Sequence, residues 1–182
     1  DTGFGFERCL MFLNGVTDVY KTDLFESVIS YLESVSGMKY GADEKSTRAM
    51  RIIADHTRTT VMLIGDEKGI VPSNVGAGYI LRRIMRRAIR YSKQLNIAPE
   101  TMINVAKLFI DEVYNEAYPL LGEKEEYILE EINKEIKKFS KALETGMKEF
   151  DKVIAGINRK NEFMQKSNPN HIEDKTINGK SA

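Results

Sequence analysis

Five arginines lie within nine residues of this chain, directly after a loop that contains proline, asparagine and glycine. They are Arg82, Arg83, Arg86, Arg87 and Arg90. A guanidinium group donates two hydrogen bonds in a fixed geometry that matches a phosphate. No acidic residue stands four positions after any of these arginines, so ion pairs within one helix cannot neutralise them. The pattern indicates either a polyanionic ligand or coverage by acidic residues from elsewhere in the chain.

The loop before the arginines offers polar groups for a second kind of contact. Ser73 and Asn74 follow Pro72 and precede the glycine pair Gly76 and Gly78. An asparagine amide has a donor and an acceptor, which suits the edges of bases, although asparagine in such a position more often shapes a turn. The glycine pair would let the backbone approach a ligand closely. The segment lacks the Gly-Lys-Ser/Thr of a P-loop and the third glycine of a dinucleotide fingerprint.

The formal net charge of zero conceals two blocks of opposite charge. Residues 44–93 contain eleven basic and four acidic residues, a net charge of +7. Residues 100–135 contain three basic and ten acidic residues, a net charge of −7. The basic block favours an anionic partner, but a layer of salt bridges between neighbouring helices would also explain the pattern. The sequence leaves both explanations open.

The elements that position these residues are predicted to be helices, because apolar residues recur at helical spacing through most of the chain. We therefore predict a mainly α fold with several helices and one long amphipathic helix at about residues 123–158. Thr22 is expected to cap the second helix and Gly37 to end it. Ser46 or Thr47 is expected to cap the third helix.

On the arginine helix, predicted at 79–94, helical projection separates two faces. With Leu81 pointing inward, Ile84, Met85 and Ala88 fall within about 60° of it. All five arginines fall on the opposite arc, so we expect the helix to expose the whole guanidinium row.

Few residues suggest metal or redox chemistry. The single cysteine excludes an internal disulfide and any multi-cysteine metal site, and the two distant histidines argue against a histidine metal cluster. His56 is predicted to be a partly buried, hydrogen-bonded residue rather than a catalytic one. Neither a signal peptide nor a membrane span is predicted, and a cytoplasmic location is expected. Because the sequence starts at Asp1 rather than methionine, we expect a piece of a longer protein.

Three segments together resemble the alanyl-tRNA synthetase family of class II synthetases: DTGFGFERC, ADHTRTTVMLI and VPSNVGAGYILRRIMRRAIRY. The first is similar to the third class II signature motif, Gly-x-Gly-x-Glu-Arg. The other two resemble the helical tRNA-recognition region of that family. The resemblance covers essentially the whole chain. It implies the end of a class II α/β catalytic domain at 1–15, a helical tRNA-recognition domain at 16–165 and a linker at 166–182.

The resemblance also implies roles for individual residues. In the third motif, Arg8, Gly3 and Gly5 match positions that bind ATP, and Asp1 matches the aspartate that holds the amino group of alanine. Asn74 matches the asparagine that contacts the G·U pair in the acceptor stem of alanine tRNA. The resemblance implies that the basic helix lies beside that stem. The other residues expected to bind tRNA are therefore Ser73, Arg82, Arg83, Arg86, Arg87 and Arg90.

The family attaches alanine to its tRNA with ATP and Mg²⁺. The first two class II motifs and the zinc-binding editing domain are not found in this sequence, so we expect the chain alone to bind tRNA without catalysing ligation. Zinc, DNA and membrane are not expected ligands or partners of the chain. One alternative is a stand-alone, non-catalytic RNA-binding protein similar to synthetases. Another is a structural helical bundle in which the arginines pair with the acidic block.

Overall fold

The computed structural model describes residues 3–168, and within them the chain is helical, with no strand. A 3₁₀ turn, Val19–Lys21, precedes the second helix, and a π-helical turn, Phe109–Val113, continues the fifth. The mainly α fold predicted from apolar spacing is confirmed. The described residues form seven α-helices: α1 (Phe6–Leu13), α2 (Glu26–Ser36), α3 (Glu44–Gly65), α4 (Gly76–Gln94), α5 (Thr101–Leu108), α6 (Pro119–Glu123) and α7 (Glu125–Ser167).

The chain divides into two compact units, Asp1–Lys137 and Lys138–Ala182. In the first unit, α3 and α4 pack against each other, and α2 and α5 pack against α3. Burying one large apolar side chain stabilises a fold by about 1.5–3 kcal/mol, so these contacts hold the helices together. The core of α2, α3 and α5 with its flanking segments includes fully buried Phe25, Leu32, Met50, Ile53 and Phe109.

Two predicted helix caps differ from those in the structure. Helix α3 is capped by Asp43, whose carboxylate accepts a hydrogen bond from the Ser46 amide at 2.7 Å. The Thr22 hydroxyl donates to the Val19 carbonyl at 2.7 Å, and α2 begins only at Glu26. Asp, Ser and Thr are all good capping residues, so the sequence identified the kind of residue at α3 but not its position. Helix α2 stops at Gly37 as predicted, with a left-handed φ of 69°.

The long helix is confirmed, although it starts and ends later than predicted. The structure places α7 at Glu125–Ser167. Its early apolar residues, Ile128, Ile132 and Ile136, are fully buried in the first unit. Met147 and Phe150, which continue the same apolar stripe, are about half exposed. Among residues 3–168, no helix is both long enough and apolar enough to cross a membrane.

Candidate nucleic-acid interface

The loop before α4 folds back on the first turn of that helix. The Ser73 amide donates to the Gly78 carbonyl at 3.0 Å. A Cβ on Gly78 would overlap the Ser73 side chain and the Val71 carbonyl, so only glycine permits this contact. At the start of the helix, Gly76 has a left-handed φ of 58°. At Gly78, therefore, the close backbone approach predicted for a ligand is made by the protein's own loop.

Ser73 and Asn74 stand next to each other but make different contacts. The Ser73 hydroxyl donates to the Val75 carbonyl at 2.7 Å and so closes a tight turn. Asn74 is exposed, and its Oδ1 accepts a hydrogen bond from Nη1 of Arg82. Ser73 thus shapes the loop, whereas Asn74 presents a side-chain amide at the surface.

Two of the five arginines, Arg82 and Arg86, lie on the side of α4 that faces α7; we call them the inner arginines. Both contact Glu135 of α7, whose side chain is only 4% exposed. Arg86 Nε donates to Glu135 Oε1 at 2.7 Å, and Arg82 Nε lies 3.6 Å from Oε2. The Arg82 side chain is 11% exposed and that of Arg86 33%. One buried carboxylate therefore offsets the charge of two arginines.

The remaining three arginines, Arg83, Arg87 and Arg90, are exposed; we call them the outer arginines. Their guanidinium groups lie over tyrosine rings, with Arg83 5.7 Å from the ring centre of Tyr79 and Arg90 5.7 Å from that of Tyr91. Within residues 3–168 no ion pair joins any outer arginine to an acid. Their positive charge is therefore available to a ligand.

The structure corrects the expectation that α4 exposes all five guanidinium groups. Arg82 is buried and Arg86 is partly covered, because Glu135 reaches them from 49 residues beyond Arg86. Local spacing predicts only ion pairs within one helix and could not reveal this acid. Ion pairing with the acidic block, one of the two explanations left open by the sequence, applies to the inner arginines. The outer arginines need another explanation.

The residues implied to bind ATP lie at the start of the described chain. Gly3, Gly5 and Arg8 are all exposed, and Arg8 belongs to the first turn of α1. No atom lies within 4 Å of the position that a Cβ on Gly3 would occupy, so this backbone is open to a ligand. A Cβ on Gly5 would lie 3.4 Å from Cδ of Arg8, so the Arg8 side chain runs close to Gly5. An exposed guanidinium group suits a nucleotide phosphate. Asp1, implied to hold alanine, lies outside the described residues.

Next to this segment, Arg58 of α3 holds α1 in place. Its Nη1 donates to Glu7 Oε1 at 2.9 Å, its Nη2 lies 3.5 Å from Asp55, and its guanidinium lies 4.8 Å from the ring centre of Phe25. A backbone hydrogen bond within α1 and the Arg58 contact together lower the pKa of Glu7, against a smaller opposing effect of burial. Local sequence spacing does not reveal this contact, because Glu7 and Arg58 are 51 residues apart.

A second arginine of α3, Arg51, joins a network around Asp18. Arg51 Nη2 and the Tyr40 hydroxyl both donate to Asp18 Oδ2 at 2.7 Å. Burial opposes ionisation of Asp18, but these bonds and one from the Tyr20 amide outweigh it, and the pKa of Asp18 is lowered. Burial and the bond to Asp18 raise the pKa of Tyr40 to about 12.

His56 behaves as predicted, because it is largely buried and its Nδ1 lies 3.0 Å from the Asp55 carboxylate. In the part of the chain that the structure describes, no group of three or more histidine, cysteine, aspartate or glutamate side chains is placed to hold a metal ion.

Comparison with known proteins identifies the family. The model of the family described as tRNA synthetases class II (A) matches residues 1–171. The chain belongs to this class II tRNA synthetase family. The resemblance to alanyl-tRNA synthetases inferred from the sequence motifs is also confirmed, because curated alanine–tRNA ligases are similar to this chain over most of its length.

Three of these relatives show the extent of the similarity. The alanine–tRNA ligase of Borrelia hermsii (strain HS1 / DAH) is 41% identical over 160 residues, which are 88% of this chain and 27% of the relative. That of Treponema pallidum (strain Nichols) is 38% identical over 154 residues, 85% of this chain and 25% of the relative. That of Treponema denticola is 52% identical over 97 residues, 53% of this chain and 16% of the relative. The chain therefore spans about a quarter or less of the length of these relatives.

Proposed function

We propose that this chain is the part of an alanine–tRNA ligase that binds the acceptor stem of alanine tRNA. The observation that carries the proposal is the stripe of outer arginines, exposed on α4 with no acid paired to them within residues 3–168. The family match supports the ligase assignment, and the relatives' names supply the amino acid. In this proposal, α4 and its preceding loop form the tRNA-binding surface.

The outer arginines are spaced to follow a phosphate backbone. Arg83, Arg87 and Arg90 occupy positions i, i+4 and i+7, so they form one stripe of roughly 10 Å along the helix. The Tyr79 and Tyr91 rings lie under their guanidinium groups and limit their rotation. Binding several phosphates releases counterions from the RNA, which makes the affinity depend on salt.

Asn74 is proposed to contact the G·U pair of the acceptor stem. It is exposed eight residues before the first inner arginine, on the loop that Gly78 holds against α4. A side-chain amide at this place can hydrogen-bond a base edge while the outer arginines contact phosphates. Ser73 contributes through the shape of the loop.

The same proposal assigns ATP to the start of the chain. Arg8, Gly3 and Gly5 would hold the nucleotide, as their exposure and the open backbone at Gly3 allow. When bound, ATP with Mg²⁺ would supply the adenylyl group that joins the alanine carboxylate, with pyrophosphate as the leaving group. The guanidinium of Arg8 would orient the nucleotide by hydrogen bonds and offset its negative charge.

The test is the salt dependence of RNA binding, measured by fluorescence anisotropy with a hairpin that copies the acceptor stem of alanine tRNA. With about three phosphates bound, the slope of log affinity against log salt should be roughly −3. The variant Arg83→Gln/Arg87→Gln/Arg90→Gln should bind weakly with a slope close to zero.

The matched control, Lys148→Gln/Lys152→Gln/Lys160→Gln, removes the same charge from exposed positions of α7 and should leave the slope unchanged. A flat salt response of the unmodified chain, or equal losses in the two triple variants, would refute the proposed binding surface.

A further inference from the structure

The hydrogen bond between Arg82 and Asn74 determines which end of the asparagine amide is available to a ligand. Arginine has only donors, so the group of Asn74 that faces it must be the carbonyl oxygen. The Nδ2 amino group, which carries two donor hydrogens, then occupies the other side of the amide. As long as Arg82 donates to Oδ1, the two Nδ2 hydrogens of the exposed Asn74 side chain are the donors available to a ligand.

Arg82 is itself held in place from α7. Its side chain is 11% exposed, and its Nε lies 3.6 Å from Oε2 of the buried Glu135 carboxylate. The other oxygen, Oε1, accepts the bond from Arg86 at 2.7 Å, so Glu135 cannot rotate freely. Arg82 Nε makes no hydrogen bond among the described residues, so Glu135 attracts Arg82 through charge alone, and in such a water-poor site this attraction is stronger than at the surface.

We propose that Glu135 is a positioning residue for RNA recognition. It holds Arg82, Arg82 orients the Asn74 amide, and Asn74 donates a hydrogen bond to an acceptor on the RNA. The acceptor belongs to the class of pyrimidine O2, purine N3 or ribose 2′-hydroxyl oxygen. This inference rests on the proposed binding of the acceptor stem, and it assigns specificity to a residue of the long helix that does not touch the RNA.

The experiment measures binding of the 182-residue chain to two acceptor-stem hairpins that differ only by a G·U or a G·C pair. The readout is the ratio of the two affinities, which reports on this hydrogen bond because both pairs carry the acceptor but the wobble geometry of G·U displaces the pyrimidine relative to its place in G·C. Because one hydrogen bond contributes about 0.5–1.5 kcal/mol, Asn74→Ala should lower the ratio about 2- to 10-fold. Glu135→Gln keeps the side-chain volume but loses the charge, and it should lower the ratio in the same direction by a smaller factor.

Two comparisons separate positioning from a general structural effect. Because both residues act through one hydrogen bond, the double variant Asn74→Ala/Glu135→Gln should have the same ratio as Asn74→Ala alone. The control is Glu131→Gln on the same helix, where the carboxylate pairs with Lys134 at 3.0 Å, and it should keep the unmodified ratio. An unchanged ratio in Glu135→Gln, or additive losses in the double variant, would overturn the inference.

Asn74→Asp tests the orientation of the amide even if Glu135→Gln fails to fold. An aspartate still accepts the hydrogen bond from Arg82 but has no donor, so the ratio should fall as far as in Asn74→Ala. Retained discrimination in Asn74→Asp would show that no donor is needed and would end the inference. If Asn74→Ala keeps the ratio while binding stays salt-dependent, the inference fails together with the proposed contact between Asn74 and the G·U pair, but the binding surface of the outer arginines stands. If the unmodified chain binds neither hairpin, the proposed function fails with it.

Discussion

Helices α3 and α4 pack side by side and both carry arginines, yet the two helices use them differently. On α3, Arg51 and Arg58 reach acids supplied by earlier parts of the chain, Asp18 at 2.7 Å and Glu7 at 2.9 Å. On α4, the outer arginines contact only tyrosine rings among the described residues. The inner arginines of α4 resemble the arginines of α3, because they too contact a carboxylate, that of Glu135.

The difference distinguishes arginines with a structural partner from arginines whose charge is available to a ligand. An arginine between a carboxylate and an aromatic ring, such as Arg58, has its charge offset and its side chain ordered, so a phosphate would have to displace the acid. A tyrosine ring covers one face of a guanidinium group but leaves the N–H groups at its edge available. The outer arginines are ordered in this way without being neutralised.

The largest loss of folding stability is expected when Glu135, the acid that contacts both inner arginines, is removed. Glu135→Ala leaves two guanidinium groups without their carboxylate, one of them nearly buried. Breaking a buried ion pair by removing one partner costs about 3–5 kcal/mol, and we expect about 3 because Arg86 keeps some access to water. The free energy of unfolding in urea measures this loss.

The control for this variant is Glu130→Ala on the same helix. Its carboxylate is 60% exposed and pairs with Lys134 at 3.0 Å. An exposed pair contributes at most about 1 kcal/mol, so this substitution should have little effect. Similar losses for the two variants would show that the burial of Glu135 is not what stabilises the inner arginines.

The helices were largely predictable from the sequence, but the partners of the arginines were not. The spacing of Leu81, Met85 and Ala88 predicted the buried face of α4, and Gly37 predicted the end of α2. These features depend on neighbouring residues, which the sequence shows directly. The acids that pair with Arg86, Arg51 and Arg58 lie 49, 33 and 51 residues away along the chain. Such pairs depend on how the helices pack, which local spacing does not determine.

The candidate ligand-binding side chains show the same limit of local sequence information. The sequence indicated Asn74 and the arginine row, because a polar loop before a basic helix is visible without a structure. The sequence could not show that Gly78 packs against Ser73 of the preceding loop, because this contact depends on how the loop folds. Nor could it show that Arg82 is buried against Glu135 of α7.

A smaller loss of folding stability is expected when Arg58, the α3 arginine that contacts α1, is replaced. Arg58→Met keeps the apolar part of the side chain but removes the bond to Glu7, the pair with Asp55 and the contact with Phe25. We expect a loss of about 2 kcal/mol in the free energy of unfolding, because hydrogen bonds between charged groups contribute about 1.5–3 kcal/mol. Amide hydrogens of α1 should also exchange faster with solvent.

The matching change on α4, Arg83→Met, should alter stability by no more than about 0.5 kcal/mol, since it removes an exposed side chain without an acid among the described residues. If Arg83→Met destabilised the chain as much as Arg58→Met, the distinction between the two helices would not hold.

For each group, a smaller loss of stability than that of Arg58→Met is expected when the α3 contacts are exposed to acid. The pKa values of Asp18 and Glu7 are lowered in the folded chain, as is that of Asp55, mainly through its hydrogen bond with His56. The unfolded chain therefore binds more protons than the folded chain in the window just below the usual carboxyl pKa values of about 4. The stabilisation is complete above about pH 5 and is lost as the pH falls through the lowered values.

Each of these partly exposed groups should contribute at most about 1 kcal/mol to this loss, measured by urea unfolding between pH 6 and about pH 3. Asp18→Asn should flatten the curve, because it removes one of the groups whose pKa changes on folding. The triple glutamine variant of the outer arginines should keep the unmodified pH dependence, since no acid in the described part of the chain pairs with them. A flatter curve in that triple variant would mean that the outer arginines stabilise carboxylates after all, and α4 would then use its exposed charges as α3 does.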